Sequence, residues 1–482
     1  MINKHRCFYF FCSLCFLLFS CENNNEPTPA EAQIPQLIKT QPVENEVIPP
    51  QTSQAVFVFD HPVILADKTK IKINGNVIQQ AKTTKDSLIV ELNALNENTN
   101  YTLTIEKNAI KANPGKLNTE VFSLNFSTSE FPEIELSDLV VKNPTVEIVQ
   151  LYNFLKENYG KKILSGAVAN VSWNTNEAEW VHHHTGKYPA LNTFDYIFLY
   201  ASPADWINYG NTQVVEDWWN NNGVVSCMWH WNVPKSETAA TNDVTFRPKD
   251  NAFPDGTTFS PTNALKEGTW ENTRMKADLE KIADYLLLLK NKNIPVLWRP
   301  LHEAAGNLYA TGYKGSAWFW WGRDGAEAFK GLWIYMFNYF QQRELNNLIW
   351  VWTSEINDSP FYPGNEYVDI IARDLYNQTS VHTVFNEYSA LQKQYPGKII
   401  TLGECGNVAQ LSDQWNAGAT WSWFMPWYDY ERTNDINSSA FRQTDHQYGN
   451  IDFWNNAWND ERVLSRDKIP NLKNFKISSC LN

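Results

Sequence analysis

The sequence predicts a (β/α)8 barrel preceded by a small all-β sandwich, and three observations carry that reading. Beyond about Thr145, eight near-continuous apolar runs alternate with stretches of helical period, the pattern of parallel strands with intervening helices. Between Gln41 and Thr128 the runs are shorter and alternate apolar with polar residues, as antiparallel strands with one wet face do. None of the 21 tryptophans precedes Trp173, so the two regions also differ in composition. At 482 residues the chain exceeds one ordinary domain and suits two.

Residues 1–20 read as a secretory lipoprotein signal. Lys4, His5 and Arg6 precede an apolar run from Phe8 to Phe19 that is too short to span a bilayer. The run ends Leu18-Phe-Ser-Cys21, which resembles a bacterial lipobox and makes Cys21 the lipidated residue. That places the chain on the outer membrane of a Gram-negative bacterium, facing the cell surface or the periplasm, with a plain cleaved signal as the alternative. Residues 21–40, rich in Asn, Pro and Glu, are expected to be a flexible tether. With the signal removed, Cys227, Cys405 and Cys480 remain, an odd number without CxxC spacing, so buried thiols are expected rather than disulfides or a zinc site.

In residues 41–128 the strand-like runs are Ala55–Phe59, Ile71–Gly75, Ser87–Glu91, Tyr101–Ile105 and Val121–Phe126. With Pro42 to Val47 at the opening and Asn125 to Thr128 at the close, the stretch resembles bacterial immunoglobulin-like modules. Lacking tryptophan, it reads as a spacer before a linker at 129–143. The barrel domain is assigned to 144–482. Its strands are expected at 162–167, 189–199, 223–232, 295–303, 347–355, 368–376, 399–405 and 419–425, with helices at 145–158, 213–222, 273–292, 325–344 and 382–395. The loop Pro234 to Thr269 accounts for part of the length beyond a typical barrel of roughly 250 residues.

A barrel of this kind carries its site at the C-terminal ends of the strands. There the sequence places Trp229-His-Trp-Asn232, His302-Glu303, Glu355, Asp374-Leu-Tyr376, Gly403-Glu-Cys405 and Trp421-Ser-Trp-Phe-Met-Pro-Trp427. Glu303 and Glu404 each follow a near-continuous apolar strand, and such a pair can cleave a glycosidic bond. Tryptophans supply stacking surface for the apolar faces of sugar rings, and Trp318-Phe-Trp-Trp-Gly322 stands as an aromatic wall. A formal net charge of -13 without basic runs argues against nucleic acid. Arg299 suits a positive partner for Glu404 or a structural ion pair at the rim.

The combination Trp-His-Trp-Asn at 229–232, Arg-Pro-Leu-His-Glu at 299–303, Trp-Phe-Trp-Trp-Gly at 318–322, Tyr-Pro-Gly at 362–364 with Asp374-x-Tyr376, and Gly-Glu at 403–404 resembles glycoside hydrolase family 26. The family is chiefly endo-β-1,4-mannanases. The resemblance implies Glu303 as acid/base and Glu404 as nucleophile, with His302 and Tyr376 holding them and His230 and Trp318 on the flanking sugars. Trp231 and Trp423 are expected to join the substrate-binding set, and Arg299 and Asp374 to support it. The implied activity is retaining cleavage of internal bonds in mannan, glucomannan or galactomannan by a monomer anchored to a membrane. Alternatives are a β-1,3-xylanase or mixed-linkage glucanase of the same fold, and a non-catalytic glycan-binding lipoprotein.

No cofactor and no metal is expected. His182-His-His184 lies on one helix, where adjacent side chains point in different directions. Glu355 is a weaker candidate acid, expected to hydrogen-bond, and Asp195 reads as structural or subsite-forming. The segment Asn307 to Ala317 separates Glu303 from the aromatic wall and reads as an extension able to reshape one side of the cleft.

Overall fold

In a computed structural model the described residues are 33–475 apart from 49, 51, 53, 79, 93–94, 130–134, 171–172, 307 and 309–315. The signal peptide, Cys21, Cys480 and most of the 307–317 segment therefore lie outside them. The chain divides into two compact units, one ending at Ser129 and the other with its main body beginning at Glu130.

The first unit is all β. One antiparallel sheet runs in the order Leu37–Gln41, Gln54–Phe59, Ser87–Glu91, Ala81–Thr84. A second runs Glu46–Ile48, Phe122–Thr128, Asn100–Ile105, Ile71–Ile73, Asn76–Val77, and Val63–Leu65 pairs separately with Ile110–Ala112. Strict alternation buries Ala55, Phe57 and Phe59 from one sheet and Leu124 and Phe126 from the other. Phe59 meets Phe122 edge-on at 5.4 Å. The first strand begins at Leu37, within the stretch expected to be tether.

In the second unit eight parallel strands follow in order: β1 Ile163–Val168, β2 Leu191–Asp195, β3 Val224–Trp229, β4 Val296–Pro300, β5 Leu348–Ser354, β6 Ile370–Tyr376, β7 Ile399–Gly406 and β8 Trp423–Phe424. Closure is made where Leu164 of β1 pairs with Trp423 of β8, and where Cys405 of β7 bridges Pro426. The strands are buried at nearly every position because helices cover the outside and side chains fill the inside. Cys227 and Cys405 are buried free thiols among them.

Helices α1 Val146–Asn158, α2 Asn176–Thr185, α3 Gln213–Asn220, α4 Trp270–Lys290, α5 Ala326–Gln342, α6 Val381–Gln394, α7 Leu411–Asn416 and α8 Ile451–Asn459 lie before, between and after the strands. Thr269, Ser380 and Asn450 cap α4, α6 and α8 by accepting from first-turn backbone N–H groups, each worth about 1 kcal/mol. The end of the expected linker is pinned: Ser137 and Val140 donate backbone N–H groups to Gly397 O and Asp369 Oδ1.

Several strands are shorter than the expected ranges. β4 stops at Pro300 because Leu301 and Glu303 adopt positive φ of 49° each, which turns the chain out of the sheet. β2 ends at Asp195, and β8 is only two residues long. A bulge sets β6 against β7: Arg373 faces Leu402, but Asp374 faces Glu404, so Gly403 is the extra residue. A side chain there would place its Cβ 2.8 Å from Asp374 Oδ1 and 2.9 Å from Ala372 Cβ. Only glycine lets the two carboxylates share this end of the barrel.

Candidate active site

The C-terminal mouth of the barrel holds a cleft of about 390 Å³, within the ordinary range for ligand sites of about 300–1,000 Å³. Glu303, Glu404, His302 and Tyr376 form its floor; His230, Trp318, Phe319 and Trp427 form its walls, with Tyr448, Arg247 and Phe253. A groove of about 650 Å³ beside Tyr188 and Arg466 is larger but carries no such carboxylate pair, and Tyr188 precedes β2 rather than following it.

Glu404 sits near the end of β7 with both oxygens engaged. Arg299 Nη1 donates to Oε1 at 2.6 Å and the Tyr376 hydroxyl to Oε2 at 2.7 Å. Donors on both oxygens are the pattern of an ionised carboxylate. The same guanidinium donates through Nη2 to Asp374 Oδ2 and through Nε to Thr353 Oγ1 at 2.8 Å. Arg299 thus spans β4, β5, β6 and β7 from a position 2% exposed. Burial by itself would lower its pKa; Asp374 and Glu404 raise it, so the charge is held there.

Glu303 has the opposite surroundings. It is 6% exposed, and its pKa is raised well above the ordinary 4.5, first by burial and then by the charges of Glu355, Asp374 and Glu404. The buried carboxyl therefore keeps its proton to higher pH than an ordinary glutamate. Its left-handed backbone is a strained conformation for a residue with a side chain, a cost of order 1–3 kcal/mol that is typical of functional turns. The turn is locked by Trp321 Nε1, which donates to His302 O at 2.9 Å.

One oxygen from each of Glu303, Asp374 and Glu404 lies within 4.8 Å of the others. So short a separation leaves no room for the water that holds the carboxyl groups of inverting glycosidases roughly 6.5–9.5 Å apart, and it is nearer the about 5–5.5 Å of retaining ones. Three carboxylates this close could also surround a cation, but Arg299 already donates to two of them, so the cluster's positive charge is built into the chain.

His230 is oriented by Asp195, whose carboxylate accepts from its ring Nδ1 at 2.6 Å and from its backbone N–H at 3.1 Å. Its ring meets that of His302 at 4.6 Å. Burial, followed by His230, Arg299 and Arg247, pushes His302 well below the usual histidine range and keeps it neutral. Glu355 makes no hydrogen bond through Oε1 among the described residues. Its own pKa is also raised well above normal, first by burial.

Two expected sugar contacts are displaced. Trp231 is fully buried, stacked on Trp229 at 4.1 Å and bonded through Nε1 to Asp278 of α4 at 2.8 Å. Successive residues point to opposite sides, so with His230 in the cleft Trp231 must face outward. Trp423 is 3% exposed because it pairs within β8, below the mouth; Trp427, beyond the strand, lines the cleft instead. The aromatic wall divides similarly. Trp318 and Phe319 line the cleft, whereas Trp320 and Trp321 are fully buried.

The extension after Glu303 does not push Trp318 away. Gly306 N–H donates to Glu303 O at 2.9 Å, and Trp318 N–H donates to Gly306 O at 3.1 Å, so the segment leaves and returns at one point. Arg247, Phe253 and Tyr448 have no strand-end signature and were not expected. Arg247 lies over Phe246, Phe253 and Phe319 at 5.0–5.5 Å and donates to Trp318 O at 3.1 Å. Asp374 and Tyr376 stand beside Glu404 as the sequence placed them, on one strand with side chains two residues apart.

A parallel barrel with a close carboxylate pair at the ends of its fourth and seventh strands, walled by aromatics, has the construction of a barrel glycoside hydrolase. Residues 140–450 match the model of glycosyl hydrolase family 26, and the chain belongs to that family. The crystal structure of the GH26 domain of an endo-β-mannanase/endo-β-glucanase from Prevotella bryantii is 39% identical, covering 68% of this chain and 98% of that one with a TM-score of 0.61. A β-mannanase from a symbiotic protist of the termite Reticulitermes speratus, complexed with gluco-manno-oligosaccharide, is 31% identical over 70% of this chain and 99% of its own, TM-score 0.57. Mannan endo-1,4-β-mannosidase B of Piromyces sp is 34% identical over 295 residues, 58% of this chain and 46% of that protein. The chain spans about half the length of the curated relatives it matches.

Proposed function

We propose that this protein is a retaining endo-β-1,4-mannanase acting on internal bonds of mannan, glucomannan or galactomannan. The observation that carries the proposal is the asymmetry of the close pair: Glu404 accepts from Arg299 and Tyr376, while burial holds a proton on Glu303. Glu404 attacks the anomeric carbon as Glu303 protonates the departing glycosidic oxygen, leaving a glycosyl ester on Glu404. Water then attacks the same carbon, Glu303 takes its proton, and the ester bond to Glu404 breaks. His302 and Tyr376 hold the two carboxylates, and His230 and Trp318 contact the flanking sugars; Arg299 bridges Glu404 and Asp374 and holds Glu404 in place.

The mannan-acting relatives support mannan as the substrate, since a carboxylate pair alone does not read the configuration at C2. A panel of mannan, glucomannan, galactomannan, β-1,3-xylan and mixed-linkage glucan tests this through new reducing ends. Cleavage of the mannans is expected; cleavage of xylan or glucan with mannan intact would reject the substrate assignment.

We also infer that the chain is a monomer tethered through lipid on Cys21 to the outer membrane, with the all-β unit as an immunoglobulin-like spacer. The lipobox-like Leu18 to Cys21 supports the anchor. Among the described residues no helix is long and apolar enough to cross a membrane. Expression of Cys21→Ser should release the protein from the membrane fraction; unchanged partitioning would reject the anchor.

A further inference from the structure

One buried carboxylate behind the cleft ties down two of its walls. Glu177, on α2, is 4% exposed; its Oε1 accepts from Asp429 N–H at 2.7 Å and Thr433 Oγ1 at 2.6 Å, fixing the loop that begins with Trp427. Its Oε2 meets His446 Nε2 at 3.0 Å. The other ring nitrogen of His446, Nδ1, receives the backbone N–H groups of Tyr448 at 3.2 Å and Gly449 at 3.0 Å. A nitrogen that accepts two N–H groups carries no proton, so Nε2 carries it and donates to Glu177. Asp429 adds a direct tie by accepting from Gln447 N–H at 2.8 Å.

The residue held this way is Tyr448, which lines the cleft and lies edge-on to Tyr376 at 5.7 Å, the tyrosine that donates to Glu404. Its approach requires Gly406, where a Cβ would fall 2.4 Å from the Tyr448 ring. Resting on the glycosidase reading, we propose that Tyr448 is a sugar-binding wall on the Glu404 side of the cleft and that His446 is its positioning residue, acting through the acceptor on Nδ1. Trp427, hung from the same glutamate, is the neighbouring wall.

The test uses the full chain and mannohexaose as probe. Tyr448→Ala should raise KM by about 3- to 10-fold, the value of one aromatic stacking contact, with a smaller change in kcat. His446→Ala should reproduce that KM shift. His446→Asn, whose side-chain oxygen can replace the Nδ1 acceptor, should restore KM to near the wild-type value, whereas His446→Gln, which reaches only the Glu177 side, should not. Thermal unfolding of the same variants separates folding from positioning. An unchanged KM in Tyr448→Ala, or equal KM in the Asn and Gln variants, would overturn the proposal. A wild-type chain that leaves mannohexaose intact would refute the substrate reading instead, and the variant comparison would then be read on whichever glycan of the panel is cleaved.

Discussion

Arg299 holds Glu404 through a hydrogen bond of 2.6 Å between Nη1 and Oε1, at a point where both side chains are almost wholly shielded from water. The guanidinium neutralises a carboxylate cluster that would otherwise repel itself. Replacing it with Met should leave Asp374 and Glu404 buried and unpaired, at a cost of about 3–5 kcal/mol. A large fall in Tm with loss of activity is expected; an unchanged Tm would mean that the ion pairs contribute nothing to the fold.

Tyr376 tests the other oxygen of Glu404. Tyr376→Phe removes one hydrogen bond to a charged group, about 1.5–3 kcal/mol, and should lower kcat about 10- to 100-fold if that bond orients the nucleophile. Tm should fall by less than in the Arg299 variant, since the ring stays in place and Arg299 still pairs with Glu404. Steady-state kinetics on mannohexaose read the effect, and a wild-type kcat would remove Tyr376 from the mechanism.

The raised pKa of Glu303 predicts a pH dependence of stability whose sign follows from linkage. Above the ordinary value of 4.5 an unfolded chain releases the Glu303 proton while the folded chain keeps it, so stability falls as pH rises through that window towards the raised value. Glu303→Gln escapes this loss. Its Tm should exceed that of the wild type by a margin that grows from pH 5 upward; a margin that shrinks with pH would show that Glu303 is charged in the folded state.

Glu355 bears on activity through the same proton. It is the foremost charge, after burial, that raises Glu303, so Glu355→Gln should shift the alkaline limb of kcat/KM to lower pH while the acid optimum rate persists. A pH–rate profile with an unmoved alkaline limb would disconnect the two groups.

The divided aromatic wall makes a paired prediction. Trp318→Ala should weaken substrate binding with little change in Tm, while Trp320→Ala, emptying a fully buried site, should cost about 3–5 kcal/mol of stability. Kinetics and thermal unfolding of both variants check it, and reversal of the two outcomes would reassign the walls.

Eight strands and the positions of Glu303 and Glu404 were legible because each carboxylate interrupts or follows an apolar run, an event that period and polarity register directly. The inward or outward sense of a tryptophan was not legible in the same way. In apolar, tryptophan-rich sequence Trp231 and Trp423 look like Trp318 or Trp427, and only the neighbour, His230 beside Trp231, signals the outward turn. Residues brought to the cleft by loops left still less trace. Arg247 and Tyr448 sit in polar sequence with no period, and their placement depends on partners far along the chain, as His446 depends on Glu177. The first strand at Leu37 was hidden by the surrounding Pro, Gln and Asn, which read as tether.

The central claim is that Glu303 and Glu404 act by double displacement. Its most direct measurement is the anomeric configuration of the first sugar released from mannohexaose, followed by proton NMR before mutarotation. Initial accumulation of the β-anomer is predicted; initial accumulation of the α-anomer would contradict the mechanism and the role assigned to Glu404.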